Sequence, residues 1–359
     1  MCLGPDLYNG VCGIAVFLAA YATVTGRKSS GELALAALAN IRKELRSRNA
    51  ARKARSLGLG AATGLGSIIY ALTTISKSLH DKNLLEDAQA AVELITDDLI
   101  AADKQLDVMD GSAGAILCLL RLYRDTNFGD ALKCAAKCGE HLLRQPRVGP
   151  VGCNSWIGQG FGSHALNGMA HGAAGFAYAL ASLAAATGRD EFAQAASECI
   201  EFEDSRYDQE RHNWPDLRRG GEHHWTCQWC HGAPGIGLAR VATHKRGGLN
   251  AKPLVTDICN ALVGAERGWP GQLDTLCCGT LGSIEFLCAA GDVLERTDLR
   301  KLASRRLMTL LDNAKLNGDY RWNGGNRRFN LGLFRGLAGV GYTSLRQVDG
   351  SLPNVLIWE

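Results

Sequence analysis

Seven apolar segments, each opened by a glycine-bracketed loop and each trailed by a more polar amphipathic stretch, follow one another along the chain. Gly10-Val11-Cys12-Gly13 leads into Ile14–Ala22, and Gly64-Leu65-Gly66-Ser67 into Ile68–Leu72. Gly111-Ser112-Ala113-Gly114 leads into Ala115–Leu122, and Gly172-Ala173-Ala174-Gly175 into Phe176–Leu183. The last three loops are Gly232–Gly235, Gly279–Gly282 and Gly336–Gly339. Successive loops lie roughly 47 to 61 residues apart, a period typical of helical-hairpin arrays. Glu32–Arg55, Leu84–Ala102, Gly129–Arg144, Asp190–Glu203, Pro253–Arg267 and Asp298–Asn313 have helical rather than strand periodicity. Each unit therefore reads as an apolar inner helix followed by a polar outer one, and the fold class expected is an all-α repeat fold. Periodicity leaves an open solenoid and a closed ring both open, although inner helices this apolar are better buried by closure.

Equivalent loops of a regular helical array fall on one face. Loops three to six, which carry polar side chains, are therefore expected side by side. Loop three has Asp107 shortly before Gly111, and loop four has His171 immediately before Gly172. Loop five is Trp229-Cys230-His231-Gly232, and loop six is Leu276-Cys277-Cys278-Gly279. Three thiols on two similarly built loops suggest a zinc site, and zinc with three protein ligands keeps a fourth position for chemistry. Neighbouring helices pack about 8 to 10 Å apart, which brings His171 within one side chain's reach of such a site. Taken singly, each residue also has a plain structural reading: a buried small thiol, a satisfied core histidine, or an aspartate bonded within its own loop. His223 and His224 lie in a polar insertion and read as solvated or rim residues, and the basic run Arg42–Arg55 reads as the outer face of a helix.

Composition narrows the picture. A chain of 359 residues can bury a sizeable core, and 39 basic against 36 acidic residues, a net charge of +3, gives no reason to expect nucleic acid. The apolar run Val11–Val24 is interrupted by Gly13 and too short to span a bilayer, so neither a signal peptide nor a transmembrane helix is expected. Thirteen cysteines, several inside apolar helical stretches (Cys118, Cys134, Cys138, Cys259, Cys288), fit reduced thiols of a cytoplasmic protein better than a disulfide framework. The glycine loops lack the Lys-Ser/Thr ending of a phosphate-binding loop.

Trp229-Cys230-His231-Gly232, Cys277-Cys278-Gly279 and Ala170-His171-Gly172-Ala173-Ala174-Gly175 resemble the three signature motifs of lanthionine synthetase cyclases, which close thioether rings in lanthipeptides. The resemblance covers nearly the whole chain. Asp6–Gly10 is similar to the opening of the cyclase domain, Asp107–Gly114 to its third loop, and Asn213–Arg218 to an insertion of the bifunctional class II enzymes. Gly332–Tyr342 and Pro353–Glu359 resemble their C-terminus. The resemblance implies an α/α toroid, a double ring of helices, forming a single cyclase-like domain over residues 1–359. It implies zinc held by Cys230, Cys277 and Cys278, with His171 as acid/base, Asp107 as supporting acid and His231 lining the pocket.

Two departures matter. Stand-alone cyclases usually carry Cys-His-Gly where this chain has Cys277-Cys278-Gly279, which aligns it with the subgroup of class II enzymes that use a three-thiolate zinc. Class II enzymes also carry a dehydratase domain before the cyclase, and none is expected here. Asp110 stands where the family has glycine. The implied substrate is a dehydrated precursor peptide, with a dehydratase domain or protein as partner and neither nucleic acid nor membrane. Two other readings remain: a carbohydrate-active enzyme on the same toroid, invited by Asp103, Asp107 and Asp110, and a non-catalytic or glutathione-adding relative that binds peptides or thiols.

Overall fold

The computed structural model describes residues 3–150, 152–158, 164–219, 224–322 and 330–359. In chain order, the helical hairpins begin with α1 (Val11–Thr25) and α2 (Lys28–Leu45), with α3 (Ala50–Leu57) continuing the outer layer. Next come α4 (Leu65–Leu79) with α5 (Asn83–Glu93) and the short α6 (Asp97–Ala101), then α7 (Ser112–Thr126) with α8 (Gly129–Arg144). A two-stranded antiparallel hairpin, β1 (Arg147–Val148) and β2 (Ser155–Trp156), precedes α9 (Ala173–Thr187) and α10 (Asp190–Asp204). The series ends with α11 (Ala233–Arg246), α12 (Ala251–Arg267), α13 (Thr280–Val293), α14 (Thr297–Asn317) and α15 (Leu337–Val348). The protein is all-α, as the pattern of glycine loops led us to expect. No helix among the described residues is long and apolar enough to cross a membrane.

All seven glycine loops do the same job. The first glycine of each, Gly10, Gly64, Gly111, Gly172, Gly232, Gly279 or Gly336, is the N-cap of an inner helix. The later glycine lies in the helix's first turn, where the preceding loop folds back onto the backbone. A Cβ on Gly235 would stand 1.7 Å from the Trp229 carbonyl oxygen, and one on Gly282 2.4 Å from that of Leu276. Only glycine leaves room for that approach.

Burial separates the two layers. Twelve of the fifteen residues of α9 are buried, whereas the outer α10 buries seven of its fifteen, so only the inner helix is enclosed on all sides. Four outer helices follow their expected spans to within a few residues at each end. The two others differ: Glu32–Arg55 is broken after Leu45 into α2 and α3, and Leu84–Ala102 is broken into α5 and α6. At the second break, the Thr96 hydroxyl accepts the Leu99 N–H and starts a new helix, a local capping bond that competes with continuation. The β1–β2 hairpin packs against α9 and α10 and was not anticipated from the pattern.

The helices fall into two compact units, Met1–Arg144 with Asn330–Glu359, and Gln145–Phe329. In the first, α15, α1, α4 and α7 are successive neighbours. Their loops are joined by backbone bonds: Phe334 N–H to Tyr8 O at 2.9 Å, Leu7 N–H to Ala62 O at 3.1 Å and Ala62 N–H to Met109 O at 3.0 Å. The Trp358 indole N–H closes on Ala61 O at 3.1 Å. In the second unit α9, α11 and α13 are neighbours, backed by α10, α12 and α14.

The close approach at Gly235 predicts that Gly235→Ala lowers the thermal midpoint by several degrees, because a backbone carbonyl cannot yield as a side chain can. Gly129→Ala, where a Cβ meets nothing within 4 Å, serves as the control and should leave the midpoint unchanged in the same melts.

Candidate functional site: a three-thiol cluster beside paired histidines

Loops four, five and six of the second unit are sewn edge to edge at the N-terminal ends of α9, α11 and α13. The Cys230 N–H donates to Cys277 O at 3.2 Å, and the Cys230 carbonyl accepts the Ala170 N–H at 3.2 Å. The peptide groups flanking Cys230 are therefore held from both sides, and its side chain is aimed by its neighbours' backbones. The three sulfurs converge. Cys230 Sγ lies 3.7 Å from Cys278 Sγ, which lies 3.4 Å from Cys277 Sγ, and all three fall within 4.8 Å of one another. Cys230 and Cys277 are buried and Cys278 is half-buried. Gln228 Oε1 accepts the Cys230 thiol at 3.4 Å. Hydrogen bonds with the Cys277 and Cys278 thiols, reinforced by burial, push the Cys230 thiol well above its ordinary range.

This donor set fits a tetrahedral metal ion. Zinc–sulfur bonds of about 2.3 Å place the sulfurs of a regular tetrahedron about 3.8 Å apart, close to the spacing of this trio. Three ligands from two rigid turns also leave one face of such a tetrahedron to something other than protein.

Next to Cys230 in the same loop is His231, and His171 of loop four faces it. His231, 1% exposed, places Nδ1 3.1 Å from Asn167 O. A carbonyl only accepts, so Nδ1 carries the proton and Nε2 is left as a lone pair. That Nε2 is buried and has no hydrogen-bond partner among the described residues. Burial, with a contribution from the Arg218 guanidinium, lowers the His231 pKa to about 4, so the ring is neutral at physiological pH. The half-buried His171 ring lies roughly parallel to it, with centroids 6.0 Å apart and planes 25° from each other. Asp107 belongs to the first unit, where it is buried and its Oδ1 accepts the Asp110 N–H at 2.8 Å.

The segment between α10 and α11 braces loop five. Asn213 Oδ1 accepts the N–H groups of Ala233 at 2.8 Å and Trp214 at 2.9 Å, while its Nδ2 donates to Thr226 O at 2.9 Å. Thr226 Oγ1 donates to His231 O at 2.9 Å, and Asn167 Nδ2 donates to Pro215 O at 3.0 Å. Asp216, 1% exposed, takes a bidentate grip from Arg218, Nε to Oδ1 at 2.9 Å and Nη2 to Oδ2 at 2.6 Å. Burial would raise the Asp216 carboxyl, but the Arg218 hydrogen bonds outweigh it and hold the pKa at about 2. His224 is exposed and its carbonyl accepts the Asp216 N–H; His223 lies outside the described residues.

Asn167 and Gln228 were not singled out from the sequence, and Asn213, Asp216 and Arg218 appeared only within a motif. Each works through specific hydrogen bonds that leave no periodic trace in the sequence.

Asp216 gives a pH-dependent expectation. Its carboxyl is depressed from about 3.9 in the unfolded chain to about 2, so its contribution is fully present above pH 4 and is lost as pH falls through 2. Asp216→Asn should cost on the order of 2 kcal/mol at pH 6. In chemical denaturation the gap from wild type should narrow steadily as pH is lowered from 4 toward 2.

Comparison with known proteins bears on the fold and on the family. Among solved structures, the fold matches nisin cyclase with a TM-score of 0.69 at 16% identity, over 98% of this chain and 92% of that one. A sugar epimerase from a ruminal bacterium matches with a TM-score of 0.54 at 12% identity, over 88% of this chain and 100% of that one. At such identities the likenesses show the fold alone, and the first carries the fold class expected above, the α/α toroid built of helical hairpins. No curated protein sequence matches. The model of the Lanthionine synthetase C-like protein family matches residues 2–357, and by that match the chain belongs to this family.

Proposed function

We propose that this protein is a zinc-dependent lanthipeptide cyclase, in which peptide cysteine thiols add to dehydroalanine or dehydrobutyrine to form thioether rings. The single observation that carries the reading is the convergence of Cys230, Cys277 and Cys278 next to the His171–His231 pair. Support comes from the family match over residues 2–357, on which we take residues 1–359 to act as one cyclase domain.

The reaction joins a sulfur to a β-carbon and moves one proton. A free cysteine of pKa about 8.5 is only a few per cent thiolate at neutral pH, so the thiol must be ionised in the site. Zinc held by Cys230, Cys277 and Cys278 would supply that ionisation, since a metal-bound thiol is deprotonated. His171 takes the thiol proton. When sulfur bonds to the β-carbon, the electron pair of the C=C bond moves to the α-carbon and its carbonyl as an enolate. His171 returns the proton to the α-carbon, and the side from which it does so sets the stereocentre. Atoms balance, and peptide mass is unchanged. His231 is neutral and would line the pocket next to Cys230.

The substrate must arrive already dehydrated, because nothing in this constellation would remove water from serine or threonine. The reading therefore implies an upstream dehydratase activity, in another domain or another protein, and a cytoplasmic setting that keeps the three thiols reduced.

Replacing Cys230, Cys277 or Cys278 by alanine is expected to abolish zinc retention. His171→Ala should keep one zinc per chain and lower ring closure on a dehydrated precursor peptide by at least a hundredfold, followed as loss of alkylatable peptide thiols at constant mass. An unchanged rate in His171→Ala removes it from the mechanism. Affinity for the peptide without any change in its thiol count would instead identify a binding protein of the same fold.

A further inference from the structure

Behind the site, Arg240 is the buried hub of an ion cluster. This arginine, 1% exposed, lies two turns into the inner helix α11, after a run of apolar and small residues. Its Nε meets Asp257 Oδ2 of α12 at 2.7 Å, and its Nη2 meets Asp204 Oδ1 at 3.3 Å and Glu203 Oε2 at 3.1 Å, both of α10. One guanidinium thus faces three carboxylates. Burial raises the pKa of Glu203 and lifts Asp204 to about 7. A buried ion cluster of this kind is weak as a source of net stability, since desolvation consumes most of the Coulombic gain.

The cluster has one contact that leads elsewhere. Glu203, fully buried, turns its second oxygen, Oε1, to the Gly168 N–H at 2.8 Å. Gly168 sits in the turn that carries His171, at φ +105, pressed against loop five. A Cβ there would stand 2.6 Å from Cys230 O and 2.9 Å from His231 Cα. Its neighbours make the two bonds that tie the loops together, Asn167 O to His231 Nδ1 and Ala170 N–H to Cys230 O. The connections form a closed circuit. Cys230 and His231 lead into α11, α11 carries Arg240, Arg240 holds Glu203, Glu203 holds Gly168, and the Gly168 turn returns to Cys230 and His231.

We propose that Glu203, anchored by Arg240, is a positioning residue that fixes the His171 turn against the thiol loop through its bond to the Gly168 N–H. This deepens the cyclase reading and rests on it for its effect on catalysis. Glu203 touches neither thiols nor histidines. It acts through the turn, and what it sets is the separation of the proton carrier from the sulfur, where a misplacement of 1 Å costs about a hundredfold in rate.

Two conservative variants separate reach from charge. Glu203→Gln keeps an oxygen at the same reach and removes the charge, leaving Arg240 with Asp204 and Asp257. Glu203→Asp keeps the charge and is one methylene too short to meet Gly168 while paired to Arg240. With both variants zinc-loaded and folded by circular dichroism, Glu203→Asp should lower kcat on a dehydrated peptide at least tenfold with KM within twofold. Glu203→Gln should stay within threefold of wild type.

Independently of activity, amide exchange at Gly168 and exchange of the His231 Nδ1 proton, read by NMR, should accelerate at least tenfold in Glu203→Asp and little in Glu203→Gln. The reverse ranking, or equal rates in all three proteins, overturns the proposal. If the exchange pattern holds while wild type closes no rings, the positioning stands and the cyclase reading fails. If wild type closes rings and both variants match it, the positioning fails and the cyclase reading stands.

Discussion

The Cys230 backbone, bonded through its N–H to loop six and through its carbonyl to loop four, is the constraint on which the site depends. Backbone groups in buried turns must be paired, and those of Cys230 are paired across repeats. Sulfurs separated by 47 residues in sequence thereby meet. The glycines make this possible by letting each loop lie on the first turn of its own inner helix. The helices supply the framework and the loops carry the candidate chemistry.

Around that constraint the second unit is arranged in shells. The thiols and the two histidines come first. Asn167, Asn213 and Thr226 then hold the loops from the side, with bonds of 2.8 to 3.1 Å to carbonyls and N–H groups that would otherwise be unmet. Outermost are the charged pairs, Arg218 bonded twice to the buried Asp216 and Arg240 ion-paired with the buried Glu203 at 3.1 Å. Such pairs bring little net stability but define geometry, because guanidinium and carboxylate meet only in a narrow range of orientations.

The inner helices and the thiol loops were legible in the sequence for the same reason: glycine ahead of an apolar run has few alternative uses, and it recurs seven times. Cys230, Cys277 and Cys278 were legible as a set because the repeat places their loops side by side. The breaks between α2 and α3 and between α5 and α6 were not, since the amphipathic pattern runs through both, and a single capping threonine decides the second. Glu203 and Arg240 also went unread. One is among several acidic residues at the end of α10 and the other follows the apolar and small residues that open α11, and only the meeting of residues 37 positions apart gives either a meaning.

The central question is whether the three thiols hold zinc with one position open, and X-ray absorption at the zinc edge answers it most directly. Protein kept reduced should carry one zinc per chain with three sulfurs at about 2.3 Å and one lighter ligand, changing to four sulfurs when a dehydrated peptide with a free cysteine is added. Absence of zinc from reduced protein, or a first shell with fewer than three sulfurs, would contradict the site built on Cys230, Cys277 and Cys278.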